Sequence, residues 1–231
     1  MFFIQKKKIL NQSSIYKKLS YSQSGEDLIA KHIFDSIGIS KPTYIDIGAH
    51  HPYYLSNTAL FSKFGSFGIN IEPDPNLFKE FLKERTKDIN LNIGISNYKG
   101  EQDFYVMNVP TLNTFSKVEA EKCCLEGDYH ISNIIKIKTD TVLNIVLNHA
   151  NNIFPNFLSI DAEGIDELVI DSIDFNNNYP IVICIETISF STSGKGVKNL
   201  NLIKKIKDSG YILYADTYIN SIFIREKNWV R

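Results

Sequence analysis

Two short apolar runs, each cut off by a turn, constrain this chain more than any other feature. Tyr44-Ile45-Asp46-Ile47-Gly48-Ala49-His50-His51-Pro52 reads as a strand that stops in a glycine-containing turn. Gly68-Ile69-Asn70-Ile71-Glu72-Pro73 reads as a second strand, ending on a lone carboxylate. In an open α/β sheet, such strand ends line the crevice where ligands bind. A glycine at position 48 lets backbone come close to a ligand, and Glu72 can accept both hydroxyl hydrogens of a ribose. Together they describe a pocket for a nucleoside-bearing ligand. The plainer alternative, a strand that merely ends, accounts for Asp46-Ile47-Gly48 but not for Glu72 at this separation.

The choice of nucleoside turns on clearance. A dinucleotide needs the fuller G-x-G-x-x-G turn, so that its pyrophosphate can rest on a helix N-terminus. Here His50 stands where the second glycine would be, and its imidazole obstructs a pyrophosphate. S-adenosylmethionine carries no phosphate and needs less room.

The rest of the chain alternates strand and helix patterns, which implies a mostly parallel sheet with helices on both faces. Residues 24–37 read as a helix capped by Ser24, with Glu26 and Asp27 at its positive end. Strands over 43–47 and 67–71 flank a helix over 56–64, and Pro75 opens another through Leu82. Residues 90–96 are expected to form strand three, turned at Gly100 into a hairpin with 102–107. Residues 108–133 are the least regular stretch and read as a mobile segment over the crevice. Residues 134–138 alternate as an exposed-face strand does, and Thr139-Asp140-Thr141 caps a helix through Leu147. Buried strands over 157–160 and 181–185 end on Asp161 and Glu186, with a helix after Gly164 and another that stops at Gly210. Residues 211–214 and 221–224 close the chain as an antiparallel pair.

A chain of 231 residues suits one well-buried α/β domain, here 21–231, preceded by a basic arm over 1–20. A net charge of −1 gives no pull toward nucleic acid, so no nucleic-acid partner is expected. No apolar run approaches the roughly twenty residues of a membrane span. Met1-Phe2-Phe3-Ile4 precedes Lys6, Lys7 and Lys8, the reverse of signal-peptide order, which argues against export. Cys123, Cys124 and Cys184 show neither metal nor disulfide spacing and read as free thiols of a reducing, cytoplasmic protein. The arm also carries Lys17 and Lys18. It reads as a solvated terminus, with weak peripheral contact to anionic lipid headgroups as the sharper alternative.

Four successive strands end in acids or polar turns, at Asp46, Glu72, Asp161 and Glu186. Buried strands do not hold unpaired carboxylates, so these acids place the site along one sheet edge. Helix capping explains Asp161 and Glu163 well, but explains Glu72 and Glu186 poorly because glutamate is a weak N-cap. Asp161 and Glu186 fall on neighbouring strands and could ligate one Mg²⁺ or Mn²⁺, which would acidify a substrate hydroxyl. Without a metal, Asp161, Glu163 or His51 is the candidate general base. Of the adjacent His50 and His51, only one is expected to face the pocket.

Six ordered motifs resemble the FkbM family of methyltransferases. They are Tyr21-Ser22-Gln23-Ser24-Gly25-Glu26-Asp27, the run from Asp46 to Pro52, Ser56-Asn57-Thr58, Ile71-Glu72-Pro73, Ser159-Ile160-Asp161-Ala162-Glu163-Gly164 and Ile185-Glu186-Thr187. The resemblance implies a class I, Rossmann-like fold: a seven-stranded, mostly parallel sheet with an antiparallel C-terminal hairpin. It further implies S-adenosylmethionine-dependent methylation of a hydroxyl oxygen. The acceptor it suggests is a sugar-containing small molecule or glycan precursor, in nucleotide-sugar or surface-polysaccharide tailoring. By position, Asp46 and Gly48 fall in the first cofactor motif, Glu72 on the ribose acid and Asp161 on the acid of the fourth motif. Asn92 and Ile93 fall where adenine is flanked. Two other readings compete. A dinucleotide-dependent oxidoreductase or epimerase lacks its second glycine and a Tyr-x-x-x-Lys pair here, and a non-catalytic adaptor would have no reason to keep Glu72, Asp161 and Glu186.

Overall fold

A computed structural model describes residues 16–162, 164–189 and 196–229. In chain order the main elements are α1 (Glu26–Ser36), β1 (Tyr44–Ile47), α2 (Ala59–Lys63), β2 (Gly68–Ile71), α3 (Pro75–Glu84) and β3 (Ile89–Leu91). Next come β4 (Gly94–Ile95), β5 (Gly100–Met107), α4 (Lys117–Cys123), β6 (Ile131–Asp140) and α5 (Val142–His149). The last are β7 (Phe157–Ile160), α6 (Asp166–Ser172), β8 (Val182–Glu186), α7 (Leu200–Asp208), β9 (Tyr211–Asp216) and β10 (Asn220–Arg225). Seven strands form the main sheet in the order β3-β2-β1-β7-β8-β10-β9. Strands β3, β2, β1, β7 and β8 are parallel, and β10 inserts antiparallel between β8 and β9. This is the class I methyltransferase arrangement, with the expected C-terminal hairpin.

The strand sequences explain the layering. YIDI, GINI and FLSI are buried at every residue, so both faces of the sheet must be covered. On one face Ile33 and Phe34 of α1 and Phe61 of α2 pack with Phe157 and Ile222. On the other, Ile145 of α5, Val169 of α6 and Ile206 of α7 pack with Ile45, Leu158 and Ile183. Each such side chain contributes about 1.5–3 kcal/mol by leaving water. The chain leaves β1 toward β2 and β3 on one side and later returns as β7 on the other. That makes the β1/β7 boundary a topological switch point, where the strand ends open into a crevice.

Three expectations are corrected. The single strand over 90–96 divides: β3 stays on the edge of the main sheet, while β4 joins a second sheet of order β4-β6-β5. Its expected hairpin with 102–107 does not form, because β5 pairs antiparallel with β6 and β4 pairs parallel with it. The break falls where the Asn92 amide is drawn to the carbonyls of Glu72 and Pro73, at 2.8 Å each. The stretch over 108–133 is also more regular than expected. It holds a 3₁₀ turn (Pro110–Leu112), the helix α4 capped by Ser116, and the start of β6 at Ile131.

The third correction concerns α1. Its N-cap is Gly25, in the left-handed region at φ 92°, with no side-chain cap. Ser24 instead donates its N–H to Glu26 Oε2 at 2.7 Å. Glu26 and Asp27, fully buried, are anchors rather than dipole partners. Asp27 accepts hydrogen bonds from Ser20, Tyr21, Ser22 and Leu28. Glu26 Oε1 takes Thr217 Oγ1 at 2.7 Å and Asn220 Nδ2 at 3.2 Å, tying the N-terminal segment to the final hairpin. Burial pushes the Glu26 pKa up, but the bonds from Ser24, Thr217 and Asn220 outweigh it and hold the carboxyl below its ordinary range.

Candidate functional site

A cavity of about 540 Å³ lies at the carboxyl ends of β1, β2, β7 and β8. Asp46, Gly48, Glu72, Asp161 and Glu186 all line it, so the acidic strand ends converge on one space. Gly48 shows how tightly that space is built. It sits at φ 75°, and a Cβ there would drive into the backbone carbonyl of Asp161. The close approach that glycine allows is therefore between the ends of β1 and β7 themselves.

Glu72 is buried and already engaged. Its Oε2 accepts the His50 N–H and its Oε1 the Asp74 N–H, both at 2.7 Å. The first of these holds His50 at φ 54°, one of three bulky residues in the left-handed region that line the cavity among the described residues; Leu55 (φ 56°) and Tyr218 (φ 78°) are the others. Such backbone costs of order 1–3 kcal/mol per residue and collects at functional sites. Burial pushes the Glu72 pKa up to about 8, against the pull of the two N–H donors. Each oxygen keeps a lone pair for a further donor. Asn92 does not line the cavity; its amide fixes the Glu72-Pro73 backbone, whereas Ile93 is in the wall.

Asp46 is held from behind by a buried chain of polar groups that sequence reading missed. Thr58 donates to Asp46 Oδ2 at 2.7 Å, and Arg85 donates to Thr58 Oγ1 at 3.1 Å. Arg85 also donates to Asp88 at 2.7 Å, to the Tyr44 hydroxyl at 2.8 Å and to the Pro52 carbonyl at 3.0 Å. One guanidinium thus joins α3, β1 and the 48–52 turn. Burial raises the Asp46 pKa, while the Thr58 bond and the Arg85 charge oppose it. A lone Arg-x-x-Asp offers no local signal of such a role.

The histidines divide as expected, but His50 faces the cavity and His51 does not. His51 Nδ1 accepts the N–H groups of Tyr53 and Tyr54, at 3.1 and 3.0 Å, so it closes a turn. Burial, then the neighbouring His51, lowers the His50 pKa despite Asp74, which keeps His50 neutral near pH 7. Glu163 lies outside the described residues.

Asp161 is exposed to cleft water. The protein packed around its carboxyl raises its pKa first, and the charges of Asp166, Asp46 and Glu26 raise it further. Because water reaches the side chain, the charges are the firmer cause. Asp161 follows β7 and Glu186 ends β8, and these strands are paired, with Ile160 in register with Ile185. Among the described residues no group of three or more His, Cys, Asp or Glu side chains is placed to hold a metal ion, so the shared-ion expectation has no support there.

The lining is not only acidic. Gln23, Asn57, Ser189, Tyr218 and Asn220 also line the cavity, Asn220 in register with Glu186, and the segment from Pro110 to Phe115 contributes to the lining. Asn57 Nδ2 donates to Ser159 Oγ at 3.2 Å and to Cys184 Sγ at 3.6 Å, which leaves its carbonyl oxygen as the acceptor. The segment over 110–115 is latched by Asn113, whose amide donates to Asp74 Oδ2 at 2.9 Å. Gln23 and Asn57 stood inside the sequence motifs and Asn220 did not, and nothing in the sequence showed that they face a ligand. Among the described residues Cys123, Cys124 and Cys184 form no disulfide, and no helix is long and apolar enough to cross a membrane.

The profile of a family described as Methyltransferase FkbM domain matches residues 46–213. No curated protein matches the chain significantly. Among solved structures, a TehB-like SAM-dependent methyltransferase from Corynebacterium glutamicum is similar at 10% identity and TM-score 0.43, over 93% of this chain and 92% of that one. A putative caffeoyl-CoA O-methyltransferase from Staphylococcus aureus is similar at 11% identity and TM-score 0.45, over 93% and 88%.

Proposed function

Because the chain belongs to the FkbM methyltransferase domain family and so is an S-adenosylmethionine-dependent methyltransferase, we propose that it methylates a hydroxyl oxygen of a sugar or glycan precursor. The observation that carries this reading is the mixed lining of the cavity. It holds an adenosine-type acid at Glu72, beyond the end of β2, and neutral hydrogen-bonding groups at Gln23, Asn57 and Asn220 together with the exposed residue Tyr218. Amide and hydroxyl groups suit a polyhydroxylated acceptor, and an aromatic face suits the C–H face of a sugar ring.

The residues fit the cofactor. Glu72 has free lone pairs for the ribose hydroxyls, Ile93 and Leu77 offer apolar surface to adenine, and the acids suit a sulfonium charge. When bound, S-adenosylmethionine supplies an electrophilic methyl group, and the carbon–sulfur electron pair stays on sulfur as the thioether. Asp161 is the candidate general base, placed to take the acceptor's proton. The raised pKa brings it nearer to neutrality, where a general base works best. The Asn57 carbonyl oxygen can orient the same hydroxyl. The rest of the task is alignment, which a rigid cavity performs.

Calorimetric titration with S-adenosylhomocysteine tests the cofactor site, and a folded sample that fails to bind would sink this assignment. Protons should be released on binding below pH 8, seen as heats that differ between buffers, because ribose donors favour ionised Glu72. For folding the sign is opposite. The folded state holds the Glu72 proton more tightly, so its contribution weakens as pH rises from 4.5 through about 8.

Glu72→Ala is expected to weaken S-adenosylhomocysteine binding by about 1.5–3 kcal/mol. The sequence alone suggested that folding would be spared, since Glu72 ends a strand. The structure changes that expectation, because alanine strands two buried N–H groups. A loss of about 2–4 kcal/mol in urea unfolding should accompany the weaker binding. Unchanged stability would show that those N–H groups find other partners.

A further inference from the structure

Behind the lining of the cavity, Glu26 holds the side chain of Asn220, which is part of that lining. Asn220 begins β10, in register with Glu186 at the end of β8, and β8 pairs with β7, which Asp161 follows. Asp161, Glu186 and Asn220 therefore stand in a row on three neighbouring strand ends. Paired strands lie about 4.8 Å apart, which puts Asn220 roughly 10 Å along the sheet edge from Asp161.

The polarity of the Asn220 amide is dictated by its partner. Glu26 Oε1 accepts Asn220 Nδ2 at 3.2 Å and the Thr217 hydroxyl at 2.7 Å, while Oε2 accepts the Ser24 N–H at 2.7 Å. Burial opposes the Glu26 charge, and these hydrogen bonds overcome it, so the group is ionised near pH 7. An ionised carboxylate only accepts, so it admits only the NH₂ end of an amide. The carbonyl oxygen of Asn220 is then the polar atom left to the cavity. Asn57 is held with the same polarity, its Nδ2 spent on Ser159 and Cys184.

We infer that Asn220 accepts a hydrogen bond from a second hydroxyl of the acceptor, distinct from the methylated one, and that Glu26 is the positioning residue that fixes its polarity. This deepens the sugar reading above and rests on it. The reacting hydroxyl belongs beside Asp161, with Asn57 to orient it. Side chains reaching inward from Asp161 and Asn220 leave the width of one sugar ring between them. A polyol offers hydrogens at both ends of that span, whereas an alcohol with one hydroxyl leaves the Asn220 carbonyl without a donor. A contact remote from the reacting atoms is made equally in the bound substrate and in the transition state, so it acts on KM and not on kcat.

Glu26→Gln tests the polarity. The Ser24 N–H is fixed backbone, so the new amide must offer it the carbonyl and turn its own NH₂ toward Thr217 and Asn220. Asn220 then turns over and presents NH₂ to the cavity. The full chain is supplied with methyl-labelled S-adenosylmethionine and the methyl glycosides of glucose, galactose and mannose. For each glycoside that takes label, Glu26→Gln should raise KM about five- to tenfold, the worth of one lost hydrogen bond, with kcat within about twofold. Asn220→Ala should do the same without altering Glu26. Asp27→Asn is the control, since Asp27 anchors the same segment through Ser20, Tyr21 and Ser22; it should lower stability in urea and leave KM unchanged. Nuclear magnetic resonance of the unaltered chain should show slow solvent exchange of the Asn220 side-chain NH₂, and fast exchange in Glu26→Gln. Fast exchange in the unaltered chain, an unchanged KM in Asn220→Ala, or an equal rise in Asp27→Asn overturns the inference alone. Label in no glycoside, from protein that binds S-adenosylhomocysteine, overturns it together with the sugar reading.

Discussion

Replacing Gly48 by alanine is expected to cost about 3–5 kcal/mol of unfolding free energy, enough to leave much of the chain unfolded at 37 °C. Two penalties add. The residue sits at φ 75°, which an L side chain occupies at a cost of roughly 1–2 kcal/mol. The new methyl would also meet the Asp161 carbonyl, a backbone atom that cannot swing aside as a side chain does. Either β1 and β7 separate at their ends, breaking the Asp161 N–H bond to the Ile47 carbonyl at 3.0 Å, or the turn refolds. Gly38→Ala is the internal control. Gly38 is also left-handed, at φ 79°, but no atom lies within 4 Å of its added Cβ, so only the backbone penalty of about 1 kcal/mol applies. Equal losses for the two variants in urea titrations would show that the contact with Asp161 carries no weight.

Asp161→Asn is expected to lower kcat by about 10²–10⁴-fold while S-adenosylhomocysteine binds within a few-fold of normal. An amide occupies the same space but cannot take the acceptor's proton. In the unaltered chain, activity should rise with pH over a range displaced upward from that of an ordinary carboxylate, since only ionised Asp161 is a base. That rise should vanish in the variant. Stability gives an independent check of the same shift. A carboxyl whose folded pKa lies above its unfolded value stabilises the fold least when ionised, so its contribution falls as pH climbs through the raised pKa. Asp161→Asn should therefore equal or exceed the unaltered chain in stability at pH 8. Turnover in a chelator tests the shared-ion expectation directly, because a loss that excess Mg²⁺ or Mn²⁺ restores would assign an ion to Asp161 and Glu186. Mild loss of activity in Asp161→Asn, with the pH dependence intact, would move the base elsewhere, and His50 is then the next side chain in the cavity to test.

Local sequence determined a large part of this protein. Buried strands reveal themselves as unbroken apolar runs, and YIDI, GINI, FLSI and VICIE occupy the centre of the sheet as their composition demands. An acid at the end of such a run has few places to go, which is why the sequence assigns Asp46, Glu72, Asp161 and Glu186 to one edge, where all four line the cavity. Gly48 and Pro75 were legible for the same reason. Each meets a backbone requirement that few other residues satisfy.

Tertiary structure decided what depends on partners distant in the chain. Alternation along β6 shows a half-exposed strand but carries no label for the strand beside it, so its pairing with both β4 and β5 could not be read from period alone. Two adjacent histidines carry equal local signals. Only the backbone turn, held by Glu72 twenty-two positions away, sends His50 into the cavity and leaves His51 to close the turn behind it. Arg85 becomes the support of Asp46 through Thr58, a bond that exists only once α3 has packed against β1. Glu26, expected to serve a helix dipole, instead joins the two ends of the domain. Sequence alone placed the groups that each element must bury or expose. Which of them meet was settled by long-range packing, because hydrogen bonds are selected by proximity in space and not by spacing along the chain.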